Sequence, residues 1–364
     1  MKVNNDITYL GRTFKTSLSK PLTDEEYNDI VTEIRKKPSF DEACDDLIRI
    51  SKGSTRMSKV VGYYLQDVLY KGRNGQDAWS IDEALSYKPI MEYFNAKISV
   101  NDKVYPPHLS KGENIKTAFR LCGIRCCRKL PNFPMKTIDE LLQTYLPNGG
   151  NYYDYSCGWA SRMLSAMKNG VSYYGTDPNN ELIDALININ DDYQEVTGTD
   201  TDVHLFNTGS EVFIPEMEGK IDFSFSSPPY FTLELYNIGN QSCNEDTDYN
   251  EWLNNYIKPT IDNIYKYLKE DGIFAINIKD IVVNKIEYHL TDDINRIIQE
   301  SGKFEFVTTH DLKNIKRTFG SRYWAKHETG LSDKADELIF VYKKIENFFV
   351  SSRLSCGGVP LSDF

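Results

Sequence analysis

The sequence predicts an α/β protein: a doubly wound, mainly parallel sheet preceded by a mostly helical segment. Three observations carry this. From about residue 151 onward, short strand-like runs alternate with amphipathic stretches, the spacing of parallel strands joined by crossover helices. Residues 22–100 carry helical periodicity instead. Pro131 and Pro134 separate the two textures, since the residue before a proline disfavours helix.

In the first part, Thr23 followed by Asp24, Glu25 and Glu26 is a helix start, and Tyr27, Ile30, Val31 and Ile34 then share one face. FDEACDDLIRISK and MSKVVGYYLQDVLY repeat the pattern, and Ser80 through Ala84 open another helix. Tyr105-Pro106-Pro107 breaks it, and Ser110 with Glu113 makes a capping-box start for a helix to about Arg120. In the second part the strand candidates are NYYDYSC, VSYYGTD, VHLFNTG, IDFSFSS and GIFAINI. A helix-like LTDDINRIIQESG follows, then two more strand candidates, KFEFVTTHD and DELIFVYKK. The last segment, NFFVSSRLSCGGVPLSDF, carries no strong pattern.

Composition narrows the class. With 364 residues the chain suggests about two domains. Its 24 Tyr, 18 Phe and 4 Trp exclude a disordered or fibrous chain. The first twenty residues lack the apolar run of a signal peptide, and no stretch of about 18 apolar residues suits a membrane span. Seven scattered cysteines read as reduced thiols, so a cytoplasmic protein is expected, in a bacterial or phage-infected cell to judge from the Lys/Asn/Tyr/Ile-rich usage. The net charge of -11 argues against a polyanionic partner until its distribution is considered. Residues 1–150 hold 23 Lys/Arg against 19 Asp/Glu, so the acid lies in the remainder. Within 103–136, Lys103, Lys111, Lys116, Arg120, Arg125, Arg128, Lys129 and Lys136 face the single acid Glu113. That run is either a solvated face or a phosphate-contacting surface, and charge alone does not choose.

The chemistry-bearing motif is Ser227-Pro228-Pro229-Tyr230, followed by Phe231, at the end of the IDFSFSS run. Two prolines directly after a strand cannot continue its ladder. They present a hydroxyl, a prolyl carbonyl and an aromatic ring at the strand's C-terminal edge, where open parallel sheets bind ligands. The set offers two acceptors for an exocyclic amine and a flat face for a planar ring, as an extruded base requires. Upstream, Asp154-Tyr155-Ser156-Cys157-Gly158-Trp159-Ala160 makes a small-residue turn from strand to helix, where free N–H groups and close approach are available. At the end of the next strand, Asp177 stands where dinucleotide-type folds place a ribose-binding carboxylate.

With these motifs in sheet order, the chain resembles the amino-methyltransferases, S-adenosylmethionine-dependent enzymes that methylate exocyclic amines of adenine or cytosine in DNA. Ser227 to Tyr230 match the family's Asp/Asn/Ser-Pro-Pro-Tyr signature, Asp154 to Ala160 its cofactor loop and Asp177 its ribose acid. Asn132-Phe133-Pro134-Met135-Lys136 resembles the segment that closes over the methionine end of the cofactor, and Gly209-Ser210-Glu211 the segment at its adenine. The resemblance covers about residues 131–345, with cofactor motifs first, the gamma arrangement. It implies a Rossmann-like methyltransferase sheet with an antiparallel last strand, S-adenosyl-L-methionine as cofactor, and double-stranded DNA with a flipped base as substrate. It also admits a partner restriction endonuclease. The site residues it implies are Ser227, Pro228, Pro229 and Tyr230 for catalysis, and Phe133, Lys136, Asp154, Ser156, Gly158, Asp177 and Ser210 for the cofactor.

Two departures stand out. The family's usual second glycine in the cofactor loop is Ala160 here. Only about residues 312–335 separate the last two strand candidates, too few for the family's recognition region. Target reading therefore falls to residues 1–130, with 131–345 as methyltransferase and 346–364 as tail. Nucleic-acid contacts are expected from Lys111, Lys116, Arg120, Arg125, Arg128, Lys129, Phe231, Arg317 and Arg322. The Ser form of the motif leans towards cytosine N4 over adenine N6. An RNA or protein-amide methyltransferase, or a catalytically silent DNA-binding module, remain alternatives. His108 with Cys122, Cys126 and Cys127 fits no standard zinc spacing, so no metal is expected.

Overall fold

The computed structural model describes residues 5–75, 78–100, 108–121, 130–236, 241–311 and 337–345. A hairpin, β1 (Asn5–Tyr9) and β2 (Arg12–Thr16), opens the chain, turning at Leu10 and Gly11, both at positive φ. Helices follow. Asp24–Arg35, Phe40–Ser51 and Ile81–Leu85 each begin with a reciprocal capping box, on Thr23, Ser39 and Ser80 respectively, which supplies partners for otherwise orphaned N–H groups. Where one helix is expected over MSKVVGYYLQDVLY, Ser58–Val60 and Gln66–Lys71 flank a π-helical turn at Val61–Leu65.

The second part forms a seven-stranded sheet from β3 (Asn151–Asp154), β4 (Ser172–Thr176), β5 (Val203–Phe206), β6 (Ile221–Ser226), β7 (Leu268–Ile278), β10 (Phe304–Asp311) and β11 (Leu338–Lys344). The strand order is β10-β11-β7-β6-β3-β4-β5. The pairs among β5, β4, β3, β6 and β7 are parallel, whereas β11 runs antiparallel to both β7 and β10. The expected fold class, a Rossmann-like, mainly parallel sheet with an antiparallel last strand behind a mostly helical N-terminal part, is the one observed. A small hairpin, β8 (Ile281–Val283) and β9 (Ile286–Tyr288), follows β7 and has no counterpart in the sequence reading.

Alternation along the strands divides the core in two. Tyr152, Phe223, Phe225, Ala275 and Val341 face one cluster, while Tyr153, Phe274, Ile276 and Tyr342 face the other. Buried tyrosine hydroxyls in the sheet find partners: Tyr152 donates to the Phe225 carbonyl at 2.9 Å, and Tyr155 to that of Ala275 at 3.1 Å. The helices Met135–Tyr145, Ser161–Lys168 and Asn180–Thr197 contribute to the first cluster, and Lys258–Tyr267 and Leu290–Glu300 to the second.

The N-terminal helices also pack into the first cluster, where Ile34, Leu47 and Leu65 join Met163, Leu186 and Ile189. Polar ties reinforce the contact, with Tyr64 donating to Asp192 at 2.5 Å and Lys71 paired with Glu181 at 2.6 Å. Most consequential for the site, Arg73 and Leu235 exchange backbone hydrogen bonds of 2.7 and 3.0 Å. The N-terminal part is thereby fastened to the loop after the Ser-Pro-Pro-Tyr motif. Among the described residues no helix is long and apolar enough to cross a membrane.

Candidate active site

The motifs meet in one cavity of about 800 Å³ at the C-terminal edge of the parallel strands. Phe133, Ser156, Gly158, Asp177, Ser210, Ser227, Pro229 and Tyr230 all line it. A volume of this size is that of a small-molecule site.

One end is built by the loop after β3. Gly158 and Ala160 both take positive φ, 59° and 67°, so the chain doubles back before the Ser161–Lys168 helix. Ala160 thus adopts the left-handed geometry that glycine would take more easily, and the loop keeps its shape despite the methyl group. Asp154 does not line this end, contrary to expectation. Its carboxylate is buried, accepting from Arg162 Nε at 2.7 Å and from the Tyr173 hydroxyl at 2.8 Å. Arg162 also donates to the Ser156 carbonyl. The pair holds the loop from beneath, because a buried carboxylate is stable only when paired. Cys157 is buried beside Gly175, where a Cβ would lie 2.6 Å from its sulfur. Burial pushes its thiol well above the ordinary range, so it is a packing group and no nucleophile.

Asp177 follows β4 on the cavity wall, accepting from the Asn179 N–H at 3.0 Å. Loss of water raises its carboxyl to about 7; the Asp154 charge adds to this, while Arg162 and the N–H groups of Asn179 and Gly158 oppose it. Two hydroxyl donors, such as those of a ribose, would favour its ionised form. Ser210 lines the wall as well, but its hydroxyl meets that of Thr260 at 2.8 Å and its carbonyl accepts from Asn263 at 3.0 Å. Phe133 packs edge-on to Phe225, with centroids 5.4 Å apart. Lys136 points away from the cavity, 77% exposed and 3.8 Å from Glu140, because the Met135–Tyr145 helix turns it to solvent.

The other end is built on Ser227. Its hydroxyl donates to Tyr230 Oη at 3.1 Å, and Tyr230 donates to Asn277 Oδ1 at 2.9 Å. This relay spends the serine proton and leaves the Oγ lone pairs as acceptors. The Lys279 ammonium lies 5.6 Å from the Tyr230 ring centre. Pro228 is not among the lining residues, whereas Pro229 is. Phe231 is not available as a stacking surface: at φ 49° its ring turns into a buried cluster with Tyr249, Trp252 and Tyr288.

Sequence reasoning missed several lining residues. Glu234, Tyr236, Gln241, Lys279 and Glu337 line the cavity, as does Asn74 from the N-terminal part, and Lys279 and Glu337 lie beside Tyr230. They come from loops far apart in sequence, and no local motif marks them.

The expected nucleic-acid residues divide. Lys111 pairs with Glu26 at 2.6 Å, and Lys116 is half-buried, donating to the Ile34 carbonyl and to Gln66 Oε1, both at 3.2 Å. Lys116 thus serves the helix packing, whereas Lys111 stays on the surface beside Glu26. Arg125, Arg128, Lys129, Arg317 and Arg322 lie outside the described residues, as do the tail 346–364 and the side chain of Arg120.

No protein-family model and no curated protein matches the sequence. Among solved structures, the [4+2]-cyclase SpnF is 13% identical with a TM-score of 0.40, over 58% of this chain and 81% of that one. The 1,6-didemethyltoxoflavin-N1-methyltransferase of Burkholderia thailandensis, which holds S-adenosylhomocysteine, is 10% identical with a TM-score of 0.38, over 58% and 78%. A TehB-like SAM-dependent methyltransferase of Corynebacterium glutamicum is 17% identical with a TM-score of 0.36, over 57% and 87%. Likeness at this level carries no statement about activity, and the fold rests on the strand order itself.

Proposed function

We propose that the chain is an S-adenosylmethionine-dependent amino-methyltransferase acting on DNA, with cytosine N4 favoured over adenine N6. The observation that carries the reading is the single cavity joining the Gly158 turn and Asp177 at one end to Ser227 and Tyr230 at the other. The cofactor, when bound, supplies an electrophilic methyl group on a sulfonium. Asp177 would accept from the ribose, the Ser156–Gly158 turn would pass under the amino-acid portion, and Phe133 would wall that end. Ser227 Oγ would accept one N–H of the acceptor amine, drawing its lone pair out of conjugation and towards the methyl. In-line displacement needs the reacting atoms about 3–3.5 Å apart, so positioning supplies much of the acceleration.

A second reading, methylation of a protein amide, draws support from the commitment of Lys116 to internal partners, which removes one cation from any surface a nucleic-acid phosphate would meet. Incubation with methyl-labelled cofactor and unmethylated DNA, followed by nucleoside mass spectrometry, separates the readings. N4-methylcytosine is expected. Labelled N6-methyladenine would revise the base, and unlabelled DNA alongside labelled protein would establish the second reading.

A further inference from the structure

Amine methylation leaves the nitrogen with one proton too many, and Ser227, whose hydroxyl already carries a proton donated to Tyr230, offers no basic group to receive it. Among the carboxylates lining the cavity, Glu234 and Glu337 are the two within electrostatic reach of Tyr230 and Lys279. Glu337 is already committed, paired with Lys279 at 3.3 Å and with its other oxygen 3.3 Å from the Tyr230 hydroxyl oxygen. Glu234 has one hydrogen-bond partner among the described residues, the Tyr236 hydroxyl at 2.5 Å. Its orientation follows from the backbone. Leu235 is buried and locked to Arg73 by two hydrogen bonds, so in this extended segment Glu234 and Tyr236 share the opposite side, towards the cavity.

Resting on the methyltransferase reading above, we infer that Glu234 is the general base of the reaction, receiving the proton that the acceptor nitrogen sheds. The nitrogen lone pair forms the N–CH3 bond as the S–CH3 bond breaks, and that bonding pair leaves with sulfur, which becomes a neutral thioether. The cationic nitrogen then gives one proton to the free carboxylate oxygen of Glu234, which later releases it to water. The surroundings suit the task. Burial and the Glu337 charge raise the Glu234 carboxyl, while the Tyr236 hydroxyl and Lys279 restrain it, so it is more basic than an ordinary surface glutamate.

Sinefungin tests this without a known acceptor, because it carries a C–NH3⁺ group where the cofactor carries its sulfonium methyl. Calorimetry compares its affinity with that of S-adenosylhomocysteine at pH 8 for the wild type and Glu234→Gln. The expected result is a wild-type preference for sinefungin of about tenfold, abolished in Glu234→Gln while S-adenosylhomocysteine affinity stays within twofold. An unchanged preference in Glu234→Gln would overturn the assignment. Tyr236→Phe gives an independent check should Glu234→Gln fail to fold. Without its hydrogen bond the carboxylate becomes more basic, so the sinefungin preference should set in at higher pH; an unshifted onset would count against Glu234. Failure of the wild type to bind S-adenosylhomocysteine at all would remove the methyltransferase reading, and this inference with it.

Discussion

Asp154 and Arg162 form a buried ion pair, Oδ2 to Nε at 2.7 Å, directly under the loop that Gly158 turns. The Arg162 guanidinium carbon also lies over the Phe133 ring, 6.0 Å from its centre, so one side chain braces both the loop and the Phe133 wall. Removing a single partner leaves an uncompensated buried charge. Arg162→Met should therefore cost about 3–5 kcal/mol in urea unfolding. Asp154→Leu combined with Arg162→Met should cost less than the sum of the two single changes. Additive losses would show that the two side chains do not act as a pair.

Asp177 should make cofactor binding pH-dependent. With its carboxyl at about 7 against an ordinary 3.8, the folded protein holds a proton that the unfolded chain releases. Between these values acidification therefore adds stability through this group, and above about pH 7 its charge opposes folding. Binding has the opposite sign, because ribose hydroxyls donate to the ionised form. The affinity for S-adenosylhomocysteine should fall as pH drops from 8 to 6, and Asp177→Asn should flatten that dependence. A slope that persists in Asp177→Asn would assign it to another group.

Ser227→Ala removes the acceptor for the amine. Turnover should drop at least tenfold, in line with loss of one positioned hydrogen bond to the reacting group, while cofactor affinity stays within twofold. Tyr230→Phe keeps the ring but breaks the relay from Ser227 to Asn277, and should lower turnover less. Steady-state kinetics with labelled cofactor check both, and full activity in Ser227→Ala would place the acceptor elsewhere.

Lys116 tests the reading of the basic stretch. Its ammonium reaches back to the Ile34 carbonyl and Gln66, near the C-terminal end of the Asp24–Arg35 helix. Lys116→Met should cost about 1–2 kcal/mol through the lost hydrogen bonds. The salt dependence of DNA affinity should not change, since Lys116 neutralises no phosphate. A shallower salt slope would return Lys116 to the phosphate-contacting surface.

The order Gly158, Asp177, Ser227 was legible because each lies where a parallel strand ends, and strand–helix alternation marks those ends in the sequence. Side-chain direction was not. Nothing local distinguishes Asp154, which turns inward to Arg162, from Asp177, which faces the cavity. Phe231 reads as a stacking ring until its positive φ rotates it into the Tyr249–Trp252–Tyr288 cluster. Lys116 belongs to a basic run yet reaches back to cap a helix that precedes it by about 80 residues. Asn74, Glu234 and Glu337 join the site only through tertiary contacts such as the Arg73–Leu235 bridge. The β1–β2 hairpin had a readable signal, apolar and polar residues alternating around Leu10-Gly11, which the helical texture downstream obscured.

On this reading one cavity holds the cofactor at Asp177 and the acceptor at Ser227. Titrating S-adenosylhomocysteine by calorimetry into the wild type, Asp177→Ala and Ser227→Ala tests it most directly. One site per chain is expected, weakened at least tenfold by Asp177→Ala and within twofold of wild type in Ser227→Ala. Absence of binding to the wild type, or equal affinity in all three proteins, would contradict it.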